Sequence, residues 1–342
     1  MTKITYLFGA GASVNAIPIN ETLKASMILE YNNICEEFEK KKLEICANSS
    51  NPYITESLFN DFLIDFNFII TESKRHQSID TYAKKLYITG DFLNLKKLKT
   101  ILSSYFIIIQ SRRNVDERYD SFFASILEDA NNLFPKDLKI LSWNYDYQFE
   151  KAYSSYNQDS HLNAILSQLK VYSKNTRLNY VDNENFGIFK LNGTAAFMLN
   201  QDENKVHGTI QDVTVGYNEK LIIEVLSNYA SIHHIKETKK NLISSISFAW
   251  EEYNHGKFIV DKAIEFTKNT EILVVIGYSF PFFNRKVDRD IIRSMENLNK
   301  VYFQAPDAQD LRERFLAIRD NLKKENLVIR TDLKQFVFPN EF

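Results

Sequence analysis

The stretch that most constrains the fold is Ile4-Thr5-Tyr6-Leu7-Phe8, followed at once by Gly9-Ala10-Gly11-Ala12-Ser13. Five β-prone residues ending on glycines, alanines and a hydroxyl read as a buried strand that feeds a tight loop. Gly9 and Gly11 let the backbone turn sharply and approach a ligand, and a helix opening at Ala12 would offer N–H groups to an anion. A nucleotide diphosphate suits such a cradle. The chain has no Gly-x-x-x-x-Gly-Lys-Ser/Thr run, and Val14 stands where the dinucleotide fingerprint wants its third glycine. The loop is therefore not a P-loop and departs from the standard fingerprint.

Composition sets the wider limits. With 342 residues, 44% hydrophobic and 13% aromatic, the chain can fill the core of one large domain or two modest ones. A formal charge of −2, with acids and bases interleaved, argues against nucleic acid as a partner. Lys3 before an apolar run resembles the start of a signal peptide, but that run is short and broken by glycine. No apolar run reaches the roughly 18 residues a membrane span needs, so the expected location is the cytoplasm. Cys35 and Cys46 fall in one helical pattern roughly 16 Å apart along its axis, too far for a disulfide. Without Cys-x-x-Cys pairs there is no four-cysteine zinc site, and His233, His234 and Glu237 supply too few ligands for another metal.

Residues 19–135 read as a mostly helical block. Helical patterns cover Glu21 to Cys46, Ser57–Thr71, Thr81–Tyr87 after the start signal Ser78-Ile79-Asp80, Asp91–Gln110 and Arg118–Leu133. Glu36–Lys40 and Glu37–Lys41 are solvated pairs at helical spacing, whereas Leu58, Phe59, Phe62, Leu63, Phe66 and Ile70 form a core stripe. After Pro135 short β-prone runs alternate with helices: strands at Lys139–Ser142, Gly187–Leu191, Ile272–Ile276, Val301–Gln304 and Leu327–Ile329 join the first at Ile4–Phe8. Helices fit Tyr147–Tyr156, Leu162–Leu169, Lys220–Tyr229, Lys240–Tyr253, Phe258–Phe266, Arg285–Asn297 and Gln309–Lys323. The expected fold is α/β, a Rossmann-like parallel sheet flanked by helices. Residues 1–18 and 136–342 form the nucleotide-binding domain, and 19–135 a helical insertion after the first strand.

The residues leaving each strand point to a ligand. Gly9 to Ser13, Trp143-Asn144-Tyr145-Asp146, Asn192-Gly193-Thr194, Gly277-Tyr278-Ser279-Phe280-Pro281 and Ala305-Pro306-Asp307 are small or hydrogen-bonding clusters at carboxyl ends of strands. In open α/β sheets that edge holds the ligand crevice. Tyr278 and Phe280 fit either its wall or a stack on the ligand. Arg285, Arg289 and Arg293 share a helical face, and Asp288 and Asp290 beside them make that face read as solvated.

Gly-Ala-Gly-Ala-Ser at 9–13 with Ile17-Pro18, Trp-Asn-Tyr-Asp at 143–146, Lys190-Leu191-Asn192-Gly193 and Gly-Tyr-Ser-Phe at 277–280 resemble, in order, the motifs of the sirtuin family. The similarity is closer to the sirtuin-like domains of bacterial anti-phage defence proteins. It spans roughly 1–18 and 136–310. The resemblance implies NAD as ligand or substrate, with Gly9, Ala10, Gly11, Ala12 and Ser13 on the pyrophosphate. Gly277 and Ser279 would lie near the adenosine ribose, and Pro18, Gly193, Tyr278 and Asn284 would complete the contacts. Asn144, Asp146 and Asn192 would be the catalytic set. The protein-deacylating sirtuins carry a four-cysteine zinc module that this chain lacks, so the implied reaction is hydrolysis of NAD to nicotinamide and ADP-ribose.

That reaction passes through an oxocarbenium-like state, so its site must hold the ribose, face positive charge and place a water. Asn144 offers a donor and an acceptor, and Asp146 a carboxylate that can fix that amide or face the cation. Asn192 stands where active relatives have histidine, and an amide cannot be a general base. His161 or His207 could substitute, or a positioned water could suffice. The alternative is a catalytically weak or inactive subunit that binds NAD or ADP-ribose. The sheet uses the chain nearly to its end, so control is expected from self-assembly into a homo-oligomer or from a separate sensor or ATPase subunit, docked on the helical block.

Overall fold

The structure, a computed structural model, describes residues 2–127, 133–157, 159–173, 181–200, 205–233, 242–251 and 258–342. Its centre is β1 (Ile4–Phe8), buried along its whole length. Side chains alternate across a strand, so Tyr6 and Phe8 pack into one core and Leu7 into a second on the opposite face. Parallel neighbours flank β1 on both sides: β2 (Leu138–Ser142) and β8 (Ile272–Ile276). Among the described residues seven strands make this parallel sheet, in the order β10-β9-β8-β1-β2-β4-β3. Its outer members are β3 (Val171–Ser173), β4 (Gly187–Lys190), β9 (Lys300–Gln304) and β10 (Leu327–Arg330). A parallel sheet needs cover on both faces, which explains the near-continuous apolar character of β1 and β8.

The helical block forms five helices: α1 (Asn20–Asn48), α2 (Glu56–Lys74), α3 (Ile79–Ile88), α4 (Phe92–Arg112) and α5 (Glu117–Ile126). The last four start on a side-chain cap, with Thr55, Ser78, Asp91 and Asp116 each accepting from a backbone N–H of the first turn. The block shares its core with the sheet. Phe122 of α5 meets Tyr6 edge-on with ring centroids 5.2 Å apart, and Phe8 meets Phe149 of α6 (Gln148–Tyr153) at 4.9 Å. The opposite face is covered by α9 (Phe258–Thr267), α10 (Arg285–Ser294) and α11 (Ala308–Leu316). Two further helices, α7 (Leu162–Gln168) and α8 (Glu219–His233), pack into the first core.

The parallel sheet and the helical insertion after its first strand are as the sequence predicts. The helix expected over Lys240–Tyr253 is not formed among the described residues: Leu242–Ser244 is β7, Ala249–Glu251 is a single 3-10 turn, and 240, 241, 252 and 253 lie outside the described residues. With β5 (Phe197–Asn200) and β6 (Lys205–Gly208), β7 makes a small antiparallel sheet in the order β6-β5-β7. Strands of three or four residues are too short for their alternation to be read against a helical period. Predicted helices end early at Ile126 (α5, with 128–132 outside the described residues), at Tyr153 (α6, followed by a 3-10 turn over Ser154–Tyr156), at Ser294 (α10) and at Leu316 (α11). Cys35 and Cys46 are both free thiols on α1. Among the described residues no helix is long and apolar enough to cross a membrane.

Candidate functional site

Register decides where the loops emerge. Phe8 pairs with Ser142 on one side and Ile276 on the other, Ser142 with Lys190, and Ile276 with Gln304. The segments leaving five parallel strands therefore start level along one edge. Chain order reverses direction at β1, the switch point where open α/β sheets form ligand crevices. Ser13, Asn144, Asn192 and Ser279 all line one crevice there, of about 130 Å³, together with Ala10, Pro18, Asp146, Gly277, Tyr278 and Asn284. A larger cavity of about 530 Å³ adjoins it, sharing Ala10, Gly277, Tyr278 and Ser279 and reaching Gly11, Gln304 and Asp307. The larger one falls in the range of roughly 300–1,000 Å³ usual for small-molecule sites.

The loops after β1 and β8 touch backbone to backbone. Gly9 N–H donates to the Ile276 carbonyl at 3.0 Å and Gly11 N–H to the Gly277 carbonyl at 2.9 Å. A Cβ on Gly9 would lie 2.6 Å from Tyr278 Cα, and one on Gly11 2.9 Å from Gly277 Cα. These glycines thus admit a neighbouring loop, and Gly11 also lines the larger cavity. The expected helix opening at Ala12 is corrected: Ala10–Ser13 is one 3-10 turn, and Ala12 N–H is spent on the Gly9 carbonyl at 2.9 Å. Ala12 is fully buried, and Gly193, at φ +70°, packs on the Ser245 backbone. Gly9, Ala12 and Gly193 line neither cavity.

Ser13 is the hub of a buried network. Its Oγ donates to Asp146 Oδ2 at 2.8 Å, so the Tyr119 hydroxyl 2.8 Å away must donate to it. Asn144 Nδ2 reaches the same oxygen at 3.3 Å. The one proton of Ser13 is committed, so it positions Asn144 and Asp146 and has none to offer a pyrophosphate. Asp146 also accepts from Gln148 N–H at 3.2 Å. Burial raises its pKa, opposed by the Lys190 charge and by Ser13. Lys190 and Glu150 form a fully buried ion pair at 3.1 Å, and Lys190 Nζ also donates to the Asp146 carbonyl at 2.8 Å.

Asn192 Nδ2 donates to the Trp143 carbonyl at 3.3 Å, which orients the amide. Among the described residues its buried Oδ1 has no hydrogen-bond partner. A buried acceptor left open in a crevice wall asks for a donor from a ligand or water. Across the crevice Trp143 and Tyr278 stack, centroids 6.1 Å apart, and both donate to Asp288, Tyr278 OH at 2.7 Å and Trp143 Nε1 at 3.2 Å. Tyr278 is therefore wall. Arg285, Arg289 and Arg293 are exposed, as the solvated-face reading expects, but Asp288 turns inward and is buried; its pKa is pushed up to about 8 by burial. The signal was present, because Ile291 and Ile292 follow Asp288 at helical spacing on the buried face.

Sequence reasoning missed the contribution of the helical block. Leu23, Asp80 and Phe106 line the crevice, and Arg118 lines the larger cavity. Arg118 Nη2 donates to the Ala12 carbonyl at 2.8 Å, while Asp116 takes its Nε at 2.9 Å and its Nη2 at 2.6 Å. No motif marks these residues; Asp80 reads as a helix start and Arg118 as a first-turn residue. His161 and His207, the expected substitute bases, line neither cavity: His161 bridges to Asp212 and His207 lies on β6 opposite Met198. Among the described residues no group of three or more His, Cys, Asp or Glu is arranged to hold a metal ion; His234 and Glu237 lie outside them.

Fold and site together define an α/β protein with a two-part crevice at its topological switch point. No protein-family model matches the sequence, and no curated protein matches it either.

Proposed function

We propose that this chain binds NAD across the paired cavities and cleaves it to nicotinamide and ADP-ribose, as a sirtuin-like effector of bacterial anti-phage defence. The observation that carries this reading is the open Oδ1 of Asn192 in a crevice it shares with Asn144 and Asp146. A ribose hydroxyl is a donor of the right kind for that acceptor. The sharing of Ala10, Gly277, Tyr278 and Ser279 between the two cavities supports an elongated ligand lying over that ridge. Arg118 is a buried cation beside the larger cavity and suits an anionic group, even with Asp116 paired to it. Asn144, held by Ser13, orients a hydroxyl or water, and the carboxylates lend negative charge to an oxocarbenium-like state.

A second reading has its own observation. Asn192 has no proton to exchange near neutral pH, which favours a subunit that holds NAD or ADP-ribose without turning it over. NAD turnover and binding separate the two, measured with and without a co-encoded partner protein. Under the first reading Asn144→Ala abolishes turnover while NAD still binds. Binding without turnover in every assembly, with activity gained in Asn192→His, establishes the second. A wild-type chain that binds neither NAD nor ADP-ribose overturns both.

A further inference from the structure

The crevice contains one acidic side chain with no role in holding or orienting the groups around it. Asp80, in the first turn of α3, is carried to the crevice wall by the helical block and lines it with Asn144 and Asn192. It is half-buried and has no hydrogen-bond or ion-pair partner among the described residues. Ser78 caps the helix, so Asp80 is not needed for that task. An uncompensated carboxylate on a ligand crevice is costly unless a ligand meets it.

Resting on the proposal that the crevice takes NAD, we infer that Asp80 is the catalytic acid–base residue of the crevice, supplying what Asn192 cannot. Its carboxylate takes a proton from a water as that water's oxygen bonds to C1′ of the nicotinamide ribose. The C1′–N bond breaks with its electron pair going to the pyridinium nitrogen, so nicotinamide leaves neutral and the proton passes from Asp80 to solvent. No oxidant or reductant is needed. Before that step the same carboxylate faces the cationic end of NAD, which ADP-ribose lacks.

The surroundings suit a base that works near neutrality. Burial pushes the Asp80 pKa up to about 6. Tyr145 faces it from the loop after β2 and Tyr278 from the loop after β8; burial holds both phenols far above their ordinary range, so they stay neutral. Asp146 shares the crevice, Asp288 lies behind Tyr278, and Glu251 beside Tyr145 is paired with Lys99 at 2.7 Å. On α3 itself Lys84 is turned onto the Tyr87 and Trp250 rings. Lys24 of α1 donates to the His76 and Gln77 carbonyls just ahead of α3.

The test compares the full-length wild type with Asp80→Asn and Asp80→Glu by calorimetric binding of NAD and of ADP-ribose at pH 8, and by turnover against pH. Loss of one charge facing the pyridinium should weaken NAD about tenfold in Asp80→Asn and leave ADP-ribose unchanged. Turnover should fall by about 10²–10⁴ and lose its acid limb near pH 6, with partial rescue in Asp80→Glu. Unchanged ADP-ribose binding also reports that the variants fold. Asp80→Asn binding NAD as tightly as wild type, or turning it over with the wild-type pH profile, overturns the role of Asp80 and leaves the nucleotide reading standing. A wild type that binds neither ligand overturns that reading and this inference with it.

Discussion

Gly277→Ala tests whether the crevice is built by two loops in direct contact. Gly277 has φ +57°, and a Cβ there would lie 2.6 Å from Gly11 Cα, with the Gly11 carbonyl carbon and Ala12 nitrogen closer still. Two costs add. A left-handed backbone for alanine costs about 1–2 kcal/mol. Forcing a methyl group into packed backbone costs typically about 1–3 kcal/mol, and these atoms cannot swing aside as a side chain would. The expected loss is about 2–5 kcal/mol. Gly90 isolates the first cost, since its φ is +73° but nothing lies within 4 Å of the added Cβ. Gly90→Ala should therefore cost only about 1–2 kcal/mol. Urea denaturation followed by tryptophan fluorescence measures both, and Trp143, stacked on Tyr278, reports on the crevice itself. Gly277→Ala should also weaken NAD binding, because the β1 and β8 loops must part. Equal losses at the two positions would refute the close approach.

Two further predictions concern buried charge. Asp288 has a folded pKa of about 8, against roughly 3.9 for a free aspartate. The folded state then binds the extra proton between those values, so this group's stabilising contribution is complete below about pH 4 and is lost as pH climbs through 8. The unfolding free energy of wild type minus that of Asp288→Asn should fall steadily across that window, by about 1.4 kcal/mol per pH unit at most; a pH-independent difference in urea denaturation would contradict it. Lys190→Met strands the Glu150 carboxylate and should cost about 3–5 kcal/mol, whereas Lys190→Met with Glu150→Leu should recover most of that loss. A double variant no more stable than the single one, by the same measurement, would show that the pair is not what holds this end of β4.

Much of this architecture was legible in the chain. Ile4–Phe8 and Ile272–Ile276 are apolar runs of strand length, and polar residues gather after each run, so both the parallel sheet and its ligand edge could be read locally. The convergence of Ser13, Asn144, Asn192 and Ser279 on one crevice follows from that pattern. The β5–β7 sheet was not legible, because a strand such as Leu242–Ser244 acquires its identity from pairing with Leu199 and its neighbours rather than from its own three residues.

The sequence by itself determined which residues sit at the carboxyl ends of the strands, because periodicity and glycine placement are local properties of the chain. Tertiary structure alone decided what those residues do. It committed the Ser13 proton to Asp146, packed Gly9 and Gly11 against another loop, and left Asn192 Oδ1 without a partner among the described residues. It also carried Asp80 and Arg118, which belong to no motif, into the walls of the site. The physical reason is that a hydrogen bond or a buried charge depends on which distant atom lies within about 3 Å, and no short stretch of sequence specifies that.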